Sequence, residues 1–183
     1  MLLNAKKLSF LGLLLACSVL LVILGDMIEF NTLFFLAASS FCTGIAIRES
    51  GLRGGFGFYI ASVLLSLLLA PNKLYCLTFG AMGLYIVLIE YMYHKLTFVK
   101  WNTGTRKKFF WLIKFICFNV MFIPILLLLP ESIYQGNISR KIFIIFIFGG
   151  QAAWFIFDKA YTYFQAYVWE RIRKKLRLLD SQE

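Results

Sequence analysis

No charged residue interrupts the chain between Lys7 and Asp26, and comparable apolar runs recur as far as Tyr163 with short polar breaks between them. A helix of about 20 apolar residues, rising 1.5 Å per residue, matches the ~30 Å hydrocarbon core of a bilayer. Six such segments can be drawn, over residues 8–24, 30–47, 55–70, 74–93, 109–129 and 142–165. The breaks between them read "GDMIEFN", "RESGLRGG", "PNK", "HKLTFVKWNTGTRKK" and "PESIYQGNISRK". Gly54, Gly55 and Gly57 open the third segment and blur its start.

Composition agrees with this division. The 183 residues are 61% hydrophobic and 15% charged, with a mean hydropathy of +0.78. A soluble domain of that length needs far more polar surface to cover its core. The expected fold is therefore all-α: a polytopic membrane helical bundle with six transmembrane helices over residues 1–165. A basic, amphipathic, cytosolic helical extension follows over residues 166–183. No separate soluble domain is expected.

Orientation follows from lysine and arginine. With the N-terminus inside, only Lys73, Arg140 and Lys141 of the 19 basic residues fall in outer loops, and Lys114 and Lys159 fall within segments. Both termini are then cytosolic in a multi-pass protein of the cell membrane. The net charge of +10 reads as topology and attraction to the anionic inner leaflet, not as nucleic-acid binding. Cys17, Cys42, Cys76 and Cys117 all lie inside the segments and read as small buried hydrophobes. "LLAC" at 14–17 has a lipoprotein-like look, but "SVLLVIL" continues the apolar run, so a retained helix is expected. Asn137-Ile138-Ser139 has the form of a glycosylation acceptor in an outer loop.

Polar residues at membrane depth carry the functional information. An inner group holds Glu49, Glu90, Lys114 and Asp158, with Asn119 further along the fifth segment. Glu90, Lys114 and Asp158 come to similar depths, where a carboxylate beside a lysine avoids the cost of an isolated charge. A structural ion-pair cluster, a proton or ion relay and a docking point for an inner-side partner all fit. Lys159 points about 100° away from Asp158 and can snorkel to the surface. Asn119 is placed to receive the carbonyl of Val120 that Pro124 frees.

An outer group holds Asp26, Glu29, Asn31, Asn72, Lys73, Tyr75, Glu131, Tyr134, Gln135 and Asn137. Solvated loops account for most of it. The tight "PNK" turn makes Asn31, Asn72, Lys73 and Tyr75 the candidate outward ligand site, with Lys73 as the anchor for a small anion. Gly12 and Ala16, preceded by Ala5 and Ser9, offer a small-residue face for close helix packing or a partner. In the tail, Phe164, Val168, Ile172, Leu176 and Leu179 form an apolar stripe at helical spacing. Arg171, Arg173, Lys174, Lys175 and Arg177 cover the rest and suit the membrane surface.

No catalytic constellation is found. His94 is the only histidine, and no GxSxG, HExxH or phosphate-binding glycine loop occurs. Neither enzymatic activity, a cofactor nor a metal is expected.

Three stretches together resemble a family: "RESGLRGGFGFYIASVLLSLLLAPNKLYCLTFGAMGLYIVLIEY" at 48–91, "KFICFN" at 114–119 and "FIFDKAY" at 155–161. They are similar to an uncharacterised family of six-helix membrane proteins of Gram-positive bacteria. The resemblance implies that Glu49, Lys73, Tyr85, Lys114, Asn119 and Asp158 are that family's polar positions. The size, helix count and small-residue first helix also resemble the substrate-binding S components of energy-coupling-factor (ECF) importers of the bacterial inner membrane. That resemblance implies a transporter-type subunit, which binds a small solute from outside and docks a transmembrane coupling subunit through its first helix. The alternative is a membrane scaffold or assembly factor without transport activity, holding a partner through its inner polar cluster and basic tail.

Overall fold

The structure, a computed structural model, describes residues 5–97, 103–128 and 140–174. All of its regular elements are helical. α1 is Ala5–Met27, a single 3₁₀ turn spans Glu29–Asn31, and α2 is Thr32–Leu69. α3 is Lys73–Thr97, α4 is Thr103–Leu128 and α5 is Arg140–Tyr163. A π-helical segment, Phe164–Trp169, continues α5 directly. Glu131, Tyr134, Gln135, Asn137, Lys175 and Arg177 lie outside the described residues.

Among the described residues there are five helices where six were expected, because the expected second and third adjoin as one element, α2. The two helical arms abut within "RESGLRGG", where Gly51 breaks the element with φ 81° and ψ 172°. Residues with a Cβ are essentially barred from that region. The break reverses the chain. A Cβ built on Gly55 would lie 2.6 Å from Ile47 Cα, eight residues earlier. In an unbroken helix those residues stand about 12 Å apart. Cys42, Ala46 and Phe58 likewise share one buried cluster. α2 is thus two arms, residues 32–50 and 52–69, folded against each other. One glycine makes the turn and another lets the backbones meet.

The chain divides into two compact units, one containing α1–α3 and the other α4, α5 and the π-segment. In the first unit α2 packs against both α1 and α3. Where α1 meets α2, the Ser18 and Ser39 hydroxyls lie 2.8 Å apart, and Ser39 donates to the Ser18 carbonyl at 2.8 Å. Where the second arm of α2 meets α3, the Tyr59 hydroxyl donates to Gly80 O at 2.9 Å, and its ring lies against Gly83. Val22, Leu36, Ala70, Cys76 and Phe79 form the buried apolar cluster, with Val63, Tyr75 and Met82 against it.

The polarity of this unit is inverted relative to a water-soluble fold. Ser18, Ser39, Ser40, Thr43, Ser62 and Ser66 are fully buried, while Leu13, Leu20, Leu33, Phe34, Leu64 and Leu68 are exposed. Hydrocarbon solvates such a surface and water does not. Among the described residues, α1, α2 and α3 are long and apolar enough to cross a membrane. The chain is a membrane-associated helical protein.

Gly51→Ala is expected to destabilise the protein by about 1–3 kcal/mol, because alanine must adopt the glycine-only backbone region. Gly57, in the same hairpin, has nothing within 4 Å of an added Cβ. Gly57→Ala is expected to leave thermal unfolding in detergent unchanged. Equal melting behaviour of the two variants would contradict the hairpin.

Candidate functional site

α4 and α5 run antiparallel along a seam with four levels. At one end the Phe122 ring lies where a Cβ on Gly150 would sit, so only glycine allows this approach. Next, Gln151 Nε2 donates to Asn119 Oδ1 at 2.7 Å, while Asn119 Nδ2 donates to Phe115 O at 2.8 Å. One turn on, the buried Trp154 meets the rings of Trp111, Phe115 and Phe118, with centroids 5.5–6.1 Å away. At the fourth level, Lys114 Nζ lies 2.8 Å from Asp158 Oδ1 and donates to Oδ2 at 3.0 Å. Their side chains are 10% and 11% exposed.

This pair is what burial requires. An ion placed alone in a low-dielectric interior costs several kcal/mol, whereas two in contact offset one another. The Phe110 ring, 4.9 Å from Lys114 Nζ, adds a cation–π contact. The expectation that a lysine on the fifth segment faces Asp158 is met. Lys159 belongs elsewhere: it is exposed and lies over the Phe155 ring at 5.5 Å.

The other inner residues pair within the first unit. Arg48 donates to Glu90 Oε1 from Nη2 at 2.9 Å and from Nε at 3.3 Å, linking the first arm of α2 to the last turns of α3. Glu49 sits half-buried beside the Gly51 turn. The inner group therefore resolves into an Arg48–Glu90 pair in one unit and a Lys114–Asp158 pair in the other. Asn119 bonds to Phe115 O and Gln151, not to the carbonyl that Pro124 leaves free.

The outward residues are used by the fold. Lys73 donates from Nζ to Ala70 O at 2.9 Å and Leu67 O at 2.5 Å, closing the C-terminal end of α2. Asn72 Oδ1 accepts the Leu74 N–H at 3.0 Å, an N-cap for α3. Tyr75 packs on the apolar cluster, and Asn31 is exposed in the 3₁₀ turn with no side-chain cap. "PNK" is thus a turn whose polar side chains finish two helices. Gly12 and Ala16 are exposed, and nothing lies within 4 Å of a Cβ on Gly12.

In the tail, the π-segment changes which face is buried. A π-helix has about 4.4 residues per turn, so residues four apart nearly align. Tyr161, Gln165 and Trp169 are the buried stripe, Gln165 being only 2% exposed. Val168 and Ile172, expected in the apolar stripe, are exposed, as are Arg171 and Lys174; Arg173 is half-buried.

Gln151, Gln165 and the Ser18–Ser39 pair were not among the sequence candidates. Gln151, Asp158 and Gln165 stand seven residues apart, a spacing that puts polar groups on one helix face and was available in the sequence. Among the described residues no three His, Cys, Asp or Glu side chains converge as a metal site, and the four cysteines are unbonded to one another. No protein-family model, curated protein or solved structure matches the chain.

Lys114→Ala and Asp158→Ala are each expected to destabilise the protein by about 3 kcal/mol or more, since each leaves one buried charge alone. The double variant is expected to lose less than the sum. Unfolding in detergent for the four members of this cycle gives the coupling directly, and additive losses would exclude the pair as the cause.

Proposed function

We propose that this chain is a multi-pass cell-membrane protein, with both termini cytosolic, that acts as a scaffold or assembly factor and carries out neither transport nor catalysis. The carrying observation is Lys73. Its ammonium already donates to two backbone carbonyls, so the cation that would anchor an outward anionic ligand is engaged in closing α2. Asn72 and Tyr75 are committed in the same way.

The two arms of α2, residues 32–50 and 52–69, would each rise about 27–29 Å as a helix, close to one hydrocarbon thickness. Counting them separately gives six crossings and brings both termini to the same side, in keeping with the distribution of lysine and arginine. The proposal takes in the resemblance to the six-helix family of Gram-positive bacteria. A partner would be held through the cytosolic loops and the basic tail.

The importer-subunit reading has one observation on its side. Gly12 and Ala16 face outward from α1 with open space around Gly12, as a face for a coupling subunit would. Purification from native membranes in mild detergent separates the two readings. The scaffold reading expects a stoichiometric membrane partner without ATPase subunits, and recovery of ATPase subunits with a transmembrane coupling protein would replace it. For topology, reporters fused at the C-terminus and after Asn72 are expected to show the cytosolic and the outer side, respectively.

A further inference from the structure

Cations gather at one end of the second unit with few carboxylates to balance them. α4 begins at Thr103 without an acidic residue in its first turn. Arg106, Lys107 and Lys108 follow at once, half-buried, exposed and exposed. The positive end of the helix dipole makes this a costly place for three cations. An anion at this end would relieve that cost.

The seam fixes what stands beside them. Asn119 meets Gln151 and Lys114 meets Asp158, so continuing the antiparallel register brings residues 106–108 level with residues 164–166. There α5 passes into the π-segment. Gln165 is buried at this level, and neither of its amide atoms has a hydrogen-bond partner among the described residues. With Gln165 and Trp169 on the buried face, the exposed face carries Lys159, Arg171 and Lys174 beside Tyr163, Tyr167, Val168 and Ile172. Tyr163 and Tyr167 lie against each other at 4.8 Å. Glu170 is the only carboxylate between residues 159 and 174, and it too is exposed.

We infer that this end of α4 and the α5 tail together form a binding surface for anionic phospholipid headgroups. The phosphate is held by the cations at the start of α4 and those after the π-segment. Tyr163, Tyr167, Val168 and Ile172 occupy the boundary between headgroups and acyl chains, where tyrosine and short apolar side chains are favoured beside cations. The exposed apolar side chains select a lipid over a free phosphate, which would leave Tyr167, 66% exposed, without a role. The inference rests on the cytosolic placement of these segments in the proposed function, and it gives to lipid the basic residues that the scaffold reading gives to a partner.

The test uses the full-length protein in uncharged detergent, titrated with short-chain phosphatidylglycerol or phosphatidylcholine, with bound lipids counted by native mass spectrometry. Wild type is expected to retain phosphatidylglycerol in preference, and inorganic phosphate alone is expected not to displace it. Arg106→Gln/Lys107→Gln/Lys108→Gln and, separately, Arg171→Gln/Lys174→Gln are each expected to weaken that retention about tenfold. Combining the two sets should add less than their product if they share one headgroup. Lys6→Gln/Lys7→Gln, on α1 of the other unit, is expected to leave retention unchanged. Equal binding of the two lipids, displacement by inorganic phosphate, or an equal loss in the α1 variant would overturn the inference. The Arg171/Lys174 variant keeps the test decisive if the triple variant fails to fold.

Discussion

Lipid on the outside removes the usual reason for helices to associate. Leucine and phenylalanine are as well solvated by acyl chains as by one another, so burying them gains little. What remains is close backbone approach and the pairing of polar groups that hydrocarbon cannot solvate. Both are visible throughout this chain. Ser18 and Ser39 bond to each other and to the backbone where α1 meets α2. Tyr59 reaches a backbone carbonyl of α3 at the point where Gly83 admits its ring. Gly150 and Phe122 do the same for α5 and α4. Exposed leucines cover the outside and decide nothing about which helix meets which.

The same constraint explains how a sequence with so little polar content can specify an arrangement. Lys114 has one buried carboxylate within reach along the seam, and Asn119 has one amide. The Arg48–Glu90 pair is different in kind. With Arg48 38% exposed, solvent screens it, and such a pair is worth about 0–1 kcal/mol. It marks where the first arm of α2 ends beside α3, whereas Lys114 and Asp158 are both buried, and neither charge could be left there alone without a large cost.

Much of this was legible in the sequence, for reasons that differ by element. The helical class and the membrane assignment follow from run length, which is a direct physical requirement of the bilayer. Lys114 and Asp158 could be matched because few ionisable residues occur at depth. The break within "RESGLRGG" was legible, but the residue that makes it was not. Gly51, Gly54, Gly55 and Gly57 look alike as letters, and only the backbone separates the one that turns the chain from the one that meets Ile47. Lys73 has two uses that its letter does not separate: a lysine in a tight turn can face a ligand or close the preceding helix, and its ammonium donates to Leu67 O and Ala70 O at the end of α2. The π-segment left no signal in the sequence, and Gln165, a polar residue on the buried face there, was not anticipated.

The polar levels of the seam also set its register. The rings of Trp111, Phe115, Phe118 and Trp154 could pack nearly as well after α5 slid by one turn, since stacked and edge-on contacts tolerate many offsets. Lys114 could not. A slide of one turn would set its ammonium opposite Trp154 or Thr162 in place of Asp158, and would part Asn119 from Gln151 in the same movement. Two mismatches arising together make the observed register the one low-energy choice, a role in which buried polar groups are well attested. Past Asp158 the helix widens to the π form, with Gln165 on its buried side. The register set by these pairs places Arg106, Lys107 and Lys108 level with residues 164–166, where the basic tail begins.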